Sequence, residues 1–141
     1  MTNVTVVPST VVAANPQTVK ASGISGEAID VGMAVYADPA DNYRIKKAIS
    51  TVGNPTHAPN LVGISLSNTQ GQNQPITYAT SGDVTFGTGL ASGVVYVISH
   101  LNAGFIEPIS DLVATNFVAV LGVGTSTSNM RVSLIPTSAQ K

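Results

Sequence analysis

The chain contains no cysteine, which excludes disulfides and thiolate metal sites. It contains no tryptophan and only three phenylalanines. Its four tyrosines, Tyr36, Tyr43, Tyr78 and Tyr96, fall in separate strand-like stretches, so no aromatic platform for sugars is visible. Charge is also scarce. Charged residues make up 9% of the chain, against about 25% in a typical domain. Six basic and seven acidic residues give a formal net charge of -1. Phosphate binding draws on clustered cations that release counterions. The one basic cluster here is Arg44-Ile45-Lys46-Lys47, so no nucleic-acid partner is expected. No apolar run approaches the ~20 residues of a membrane-spanning helix, and no membrane partner is expected. The segment Met1-Thr2-Asn3-Val4 shows neither a basic n-region nor an apolar h-region, so no secretory signal is expected.

Helical periodicity is missing as well. No ten-residue window keeps apolar residues at i, i+3, i+4 and i+7 without a Gly, Pro or polar break. What is abundant is β-branched: 19 Val, 10 Ile and 15 Thr against 7 Leu. Such side chains suit pleated sheets and lose rotamer freedom in helices. Solubility falls to 44 Ser, Thr, Asn and Gln residues. A near-neutral, weakly charged surface favours association, which suits a chain packed against other copies or a partner. A neutral extracellular module is the plainer reading of the same composition.

Two stretches repeat. Val31-Gly32-Met33-Ala34-Val35-Tyr36-Ala37 and Ser92-Gly93-Val94-Val95-Tyr96-Val97-Ile98 each place a glycine before an apolar run with Val-Tyr. Each is followed by an apolar-Gly-apolar strand, Leu61-Val62-Gly63-Ile64 and Val120-Leu121-Gly122-Val123. The offsets, 60 from Val35 to Val95 and 59 from Gly63 to Gly122, point to a duplicated β motif. With turn signals roughly every 8–12 residues, the chain reads as all-β: a small barrel or sandwich built from a duplicated four-stranded motif.

Residues 1–22 read as an extended N-terminal arm, 23–136 as the β domain, and 137–141 as a polar tail. In the arm, Val4, Val6, Val7, Val11 and Val12 are β-prone but interrupted by Pro8 and Pro16, which cannot donate to a ladder. Such an arm either adds to another sheet, a neighbour's included, or is the first strand of its own domain. Ser22-Gly23-Ile24-Ser25-Gly26 reads as a hinge. Strands are expected at 33–37, 43–48, 61–66, 76–80, 84–86, 94–99, 105–107, 117–123 and 130–135. The stretch 81–83 reads as a turn, and 111–114 as one helical turn. In strand 43–48, Arg44 and Lys46 share one face and Tyr43 and Ile45 the other.

Chemistry-bearing motifs are missing. His57 and His100 have no partner at ligand spacing and read as solvated loop residues. Asp38, Asp41 and Asn42 fit an Asx-rich turn, since Pro39 and the missing glycine break a calcium loop. Glu27, Asp30, Asp83, Glu107 and Asp111 are scattered, with no acid–base pairing. Gly87-Thr88-Gly89 and Gly122-Val123-Gly124 lack the helix a phosphate loop requires. No enzyme, cofactor or metal site is expected. Tyr36 and Tyr96 read as core residues with the hydroxyl at the rim.

Several words together resemble the head decoration (capsid cement) proteins of tailed bacteriophages. They are Ser25-Gly26-Glu27-Ala28-Ile29-Asp30-Val31-Gly32-Met33-Ala34-Val35-Tyr36, Leu61-Val62-Gly63-Ile64-Ser65-Leu66, Gly71-Gln72-Asn73-Gln74-Pro75-Ile76-Thr77, Ser81-Gly82-Asp83-Val84, Gly93-Val94-Val95-Tyr96-Val97 and Val120-Leu121-Gly122-Val123. The likeness spans about residues 22–135 and leaves out the first 21. It implies a non-catalytic virion protein on the capsid exterior, assembled in the host cytoplasm. It further implies a homotrimer that bridges subunits of the major capsid protein and stabilises the expanded shell. On that reading Val4, Val6, Val7, Val11, Val12, Arg44 and Lys46 are the candidate interface residues. The alternative is a head-fibre base, tail or adhesin module contacting host glycans through the polar loop 67–74.

Overall fold

The structure is a computed structural model that describes Val4, Pro8 and residues 11–14 and 18–141. Among the described residues, ten strands form one curled antiparallel sheet, a half-barrel. In chain order they are β1 (Val12–Ala13), β2 (Val19–Ile24), β3 (Ala34–Asp38), β4 (Arg44–Lys47), β5 (Leu61–Ser65) and β6 (Pro75–Thr85). The second half contributes β7 (Val95–Ile98), β8 (Ile106–Pro108), β9 (Val120–Gly124) and β10 (Asn129–Ile135). Short 3-10 turns at Pro39–Asp41, Ala58–Asn60 and Ile109–Asp111 accompany them.

The duplication is visible in the strand order. It runs β4-β3-β5-β6 and then β10-β9-β7-β8, so the second four-stranded unit mirrors the first across the β6–β10 pair. The glycines of the repeated words sit at equivalent places. Gly63 lies opposite Val35 and Gly122 opposite Tyr96, each beside a register shift in the ladder. At those places the backbones approach closely. A Cβ on Gly63 would lie 2.1 Å from the Ala79 carbonyl oxygen, and one on Gly122 would lie 2.2 Å from that of Arg131. The repeat is one of element order, and its pairing is offset. Val35 and Tyr96 occupy matching ladder positions, although the two words align Val35 with Val95.

Strand β6 joins the halves. Ala79 pairs with both Lys20 of β2 and Ile64 of β5, so these two strands lie on opposite edges of β6. Ser81 pairs with Val19 of β2 and Ser133 of β10 in the same way. One edge of β6 thus holds β5 and then β10, and the other holds the N-terminal strands. The stretch 81–83, expected to turn, continues through the strand. Gly82 takes a φ of 93° there and still pairs with Val132. The stretch 22–26, expected to be a hinge, is mostly strand β2.

A large core packs against one face of the sheet. It includes Ala34, Tyr36, Ile64, Val84, Phe86, Tyr96, Ile98, Ile106, Leu121, Met130 and Val132, all buried. Burying an aliphatic or aromatic side chain contributes about 1.5–3 kcal/mol. A second cluster, Ile29, Val35, Ile45, Ile76 and Tyr78, packs on the other face of the first half. Residues of β2 and of the segment before β3, such as Ala21 and Met33, cover it.

The halves also meet away from β6. The Ala34 N–H donates to Gly104 (2.8 Å), the Gly104 N–H to Ala48 (2.7 Å) and the Ser50 N–H to Ser99 (3.0 Å). The turn at 102–104 is thereby docked onto the first half. Strand β9 is shorter than the apolar stretch 117–123 suggested. Phe117 makes only a single bridge, to Gln140. The tail residues are tied by that bridge and by hydrogen bonds from Val118 to Ala139, Thr115 to Lys141 and Lys141 to Asn116.

Candidate functional site

The described parts of the N-terminal segment pack on this chain's own sheet. Val12 and Ala13 pair with Thr85 and Val84, and β2 pairs along residues 75–81 of β6. Val4 and Val11 belong to the main core, and the Val4 N–H donates to the Ile106 carbonyl at 2.9 Å. Both were expected at an intermolecular interface. In this structure each is buried in the chain's own core and lies outside the named strands, where it is already removed from water. Val6 and Val7 lie outside the described residues.

Val12 behaves differently, at 52% exposed, and two residues of β2 join it, Val19 at 51% and Ile24 at 48%. Sequence reasoning did not single out Val19 or Ile24. Apolar residues are expected in any strand, and nothing local says that this one lies at an edge. Among the described residues, no named strand pairs with the outer edge of β2, although just past its end Ser25 bridges Ile45 of β4 and the Gly26 N–H donates to the Ile45 carbonyl at 2.8 Å. The region therefore offers half-exposed apolar side chains beside an edge that no named strand covers before the β4 bridge at Ser25. An open edge of this kind is a template for pairing with another chain.

Arg44 and Lys46 stand together on the β3–β4 hairpin, and both are neutralised locally. Lys46 Nζ lies 2.8 Å from Asp38 and 3.1 Å from Asp41, and Arg44 reaches Asp41 at 2.9 Å. Hydrogen bonds to Asp38 and then Asp41 raise the Lys46 pKa. Lys46 in turn lowers the pKa of both aspartates. The Asp38 carboxylate also accepts from the Ala40 N–H, as an Asx turn does. Tyr43 was expected to share a face with Ile45. Ile45 is buried, but Tyr43 is exposed with φ at 59°, because the turn carries it out of the strand.

The polar loop 67–74 is held to the body of the protein. The Val31 N–H donates to Asn68 Oδ1, the Ile29 N–H to Thr69 Oγ1, and the Ser25 hydroxyl to the Gly71 carbonyl. Thr69 is buried and pairs with Ile29 in both directions. Ordering of this kind leaves Gln70 and Gln72 exposed on a fixed frame.

The histidines are not solvated loop residues. His57 stacks on Tyr36 with ring centroids 3.9 Å apart, and its Nδ1 accepts the Ile49 N–H at 3.1 Å. Burial pushes its pKa down. His100 Nδ1 lies 2.7 Å from Oε1 of Glu107, a fully buried carboxylate. Residue spacing cannot show either contact, since both form only when a loop histidine folds against a strand residue. The tyrosine reading holds for Tyr96, which is buried and accepts the Ala91 N–H on its hydroxyl at 2.8 Å.

Among the described residues, no group of three His, Asp or Glu side chains could hold a metal ion. No helix among them is long and apolar enough to cross a membrane. A cavity of about 120 Å³ lies between the halves, lined by Asp30, Val31, Met33, Gly104 and Phe105. Compared with known protein families and with curated proteins, the chain matches none.

Proposed function

We propose that this chain is a structural virion protein that binds the outer surface of a tailed-phage capsid and stabilises the expanded shell by bridging capsid subunits. The observation that carries this reading is the run of half-exposed apolar side chains along the N-terminal strands, Val12 of β1 and Val19 and Ile24 of β2. It is supported by the resemblance of residues 22–135 to capsid cement proteins and by the weakly charged surface. Self-association as a homotrimer would strengthen binding, since second and third contacts become intramolecular once the first has formed. A ligand of the assembled shell stabilises it by mass action. The partners on this reading are the major capsid protein and further copies of this chain. Its location is the virion exterior.

The structure changes how the reading is tested. Deleting residues 2–20 would remove Val4 and Val11 from the core and confuse folding with binding. The double substitution Val19→Asp, Ile24→Asp alters exposed positions only. Its binding to empty expanded capsids should weaken by about tenfold or more, the effect of losing roughly 1.4 kcal/mol, while its melting temperature holds. Undiminished binding would exclude the β2 edge as the contact. No binding by the unaltered protein would exclude the capsid reading itself.

A further inference from the structure

The chain's two histidines flank one seam. The seam is the second meeting line of the halves, where the Ser50 N–H donates to Ser99 and the Gly104 N–H donates to Ala48. Ile49 lies between Ala48 and Ser50, and its N–H donates to His57 Nδ1 at 3.1 Å. That bond requires an unprotonated Nδ1, because a protonated imidazole has two donors and no acceptor. The His57 ring rests on Tyr36, and among the described residues it makes no ion pair that would compensate a positive charge. On the other side of the seam, His100 follows Ser99 directly. Its N–H and its Nδ1 both meet Oε1 of the buried Glu107, at 3.2 and 2.7 Å.

We propose that this seam is a pH-responsive joint. A proton on His57 breaks its bond to Ile49 and loosens the contact between the two halves of the sheet, while the His100–Glu107 pair keeps the second half's side anchored. The groups facing His57 come from three elements. Tyr36 and Asp38 come from β3, Lys46 from β4, and Glu27 from the segment before β3. Asp38 and Glu27 favour a proton on the ring, Lys46 opposes it, and burial outweighs them all. The folded pKa therefore lies below that of a free histidine. The joint is fully closed above about pH 6.5 and weakens as pH falls from there toward the folded value.

The test is amide hydrogen exchange on the full chain between pH 7.5 and 5, corrected for intrinsic exchange, with the histidine rings titrated by NMR in the same samples. The opening equilibrium at Ile49, Ser50 and Gly104 should rise by up to about tenfold per pH unit in that window. Amides of the β6–β10 ladder, such as Val84 and Val132, should not follow. In His57→Gln, whose side-chain carbonyl can still accept from Ile49, the rise should vanish; in His100→Gln it should persist. A rise that survives in His57→Gln, or that vanishes in His100→Gln, overturns the proposal. If His57→Gln does not fold, the unaltered protein decides: seam opening must track the His57 titration, and opening that tracks His100, or no opening while His57 gains its proton, refutes the joint.

Discussion

Replacing Gly122 by alanine isolates the close approach on which the second half is built. Gly122 lies in β9 between β7 and β10, opposite Tyr96 and Val132. An added Cβ would sit 2.2 Å from the Arg131 carbonyl oxygen, 3.0 Å from its carbon and 3.0 Å from the Val132 Cα. Ordinary contact begins near 3.4 Å, so the nearest atom must retreat by about 3.4 - 2.2 = 1.2 Å. All three atoms are backbone, and no rotamer change relieves them. Overpacking of a well-packed site costs about 1–3 kcal/mol, and a clash between two backbones belongs at the upper end. A loss of about 3 kcal/mol lowers the melting temperature by roughly 10 °C for a chain of this size. Thermal unfolding followed by circular dichroism measures it. The matched control is Gly53→Ala, where an added Cβ meets nothing within 4 Å. At such a site alanine is neutral or stabilises by up to about 1 kcal/mol. If the two variants melt within about 2 °C of each other, the close approach of β9 and β10 is refuted.

Three further outcomes follow from the packing and the charges. Val11→Ala should destabilise the fold by about 2 kcal/mol, through two lost methyl groups and a residual cavity; Val12→Ala, at an exposed neighbour, should stay within about 0.5 kcal/mol in the same denaturant titration. Lys46→Met should cost about 1 kcal/mol or less near neutral pH, since the pairs with Asp38 and Asp41 are partly solvated. Because Lys46 holds both aspartates below their ordinary pKa, its contribution is complete above about pH 4 and is lost as pH falls through the lowered values; stability curves of the two proteins that stay parallel down to pH 2 would contradict this. Removing the N-terminal segment through residue 20 should lower the melting temperature even in the absence of any partner, because Val4 and Val11 leave the core.

Much of the sheet was legible in the chain itself. Turn residues and period-two apolar patterns place strands close to 34–38, 44–47, 61–65, 95–98, 106–108 and 129–135, because those signals are local. The repeated words give the element order, since each glycine marks a place where backbones must approach. What escaped depends on partners distant in sequence. Ser81-Gly82-Asp83 has turn composition, yet β2 and β10 hold it straight from both edges. Ser22-Gly23-Ile24 looks like a hinge until β6 pairs with it. The arm's destination is not written in its own residues. Val4 and Val11 are buried while Val12 is open, a difference set by which of them packs into the core. The histidine contacts were hidden for the same reason. His57 meets Tyr36 across the fold, and His100 meets Glu107 across a hairpin.

The capsid reading is tested most directly by imaging the labelled protein on intact virions by cryo-microscopy. The account predicts density at regular positions over the head lattice, with the edge of β2 turned toward the shell. Label confined to the tail or to fibres, or no ordered label on the head, would contradict it.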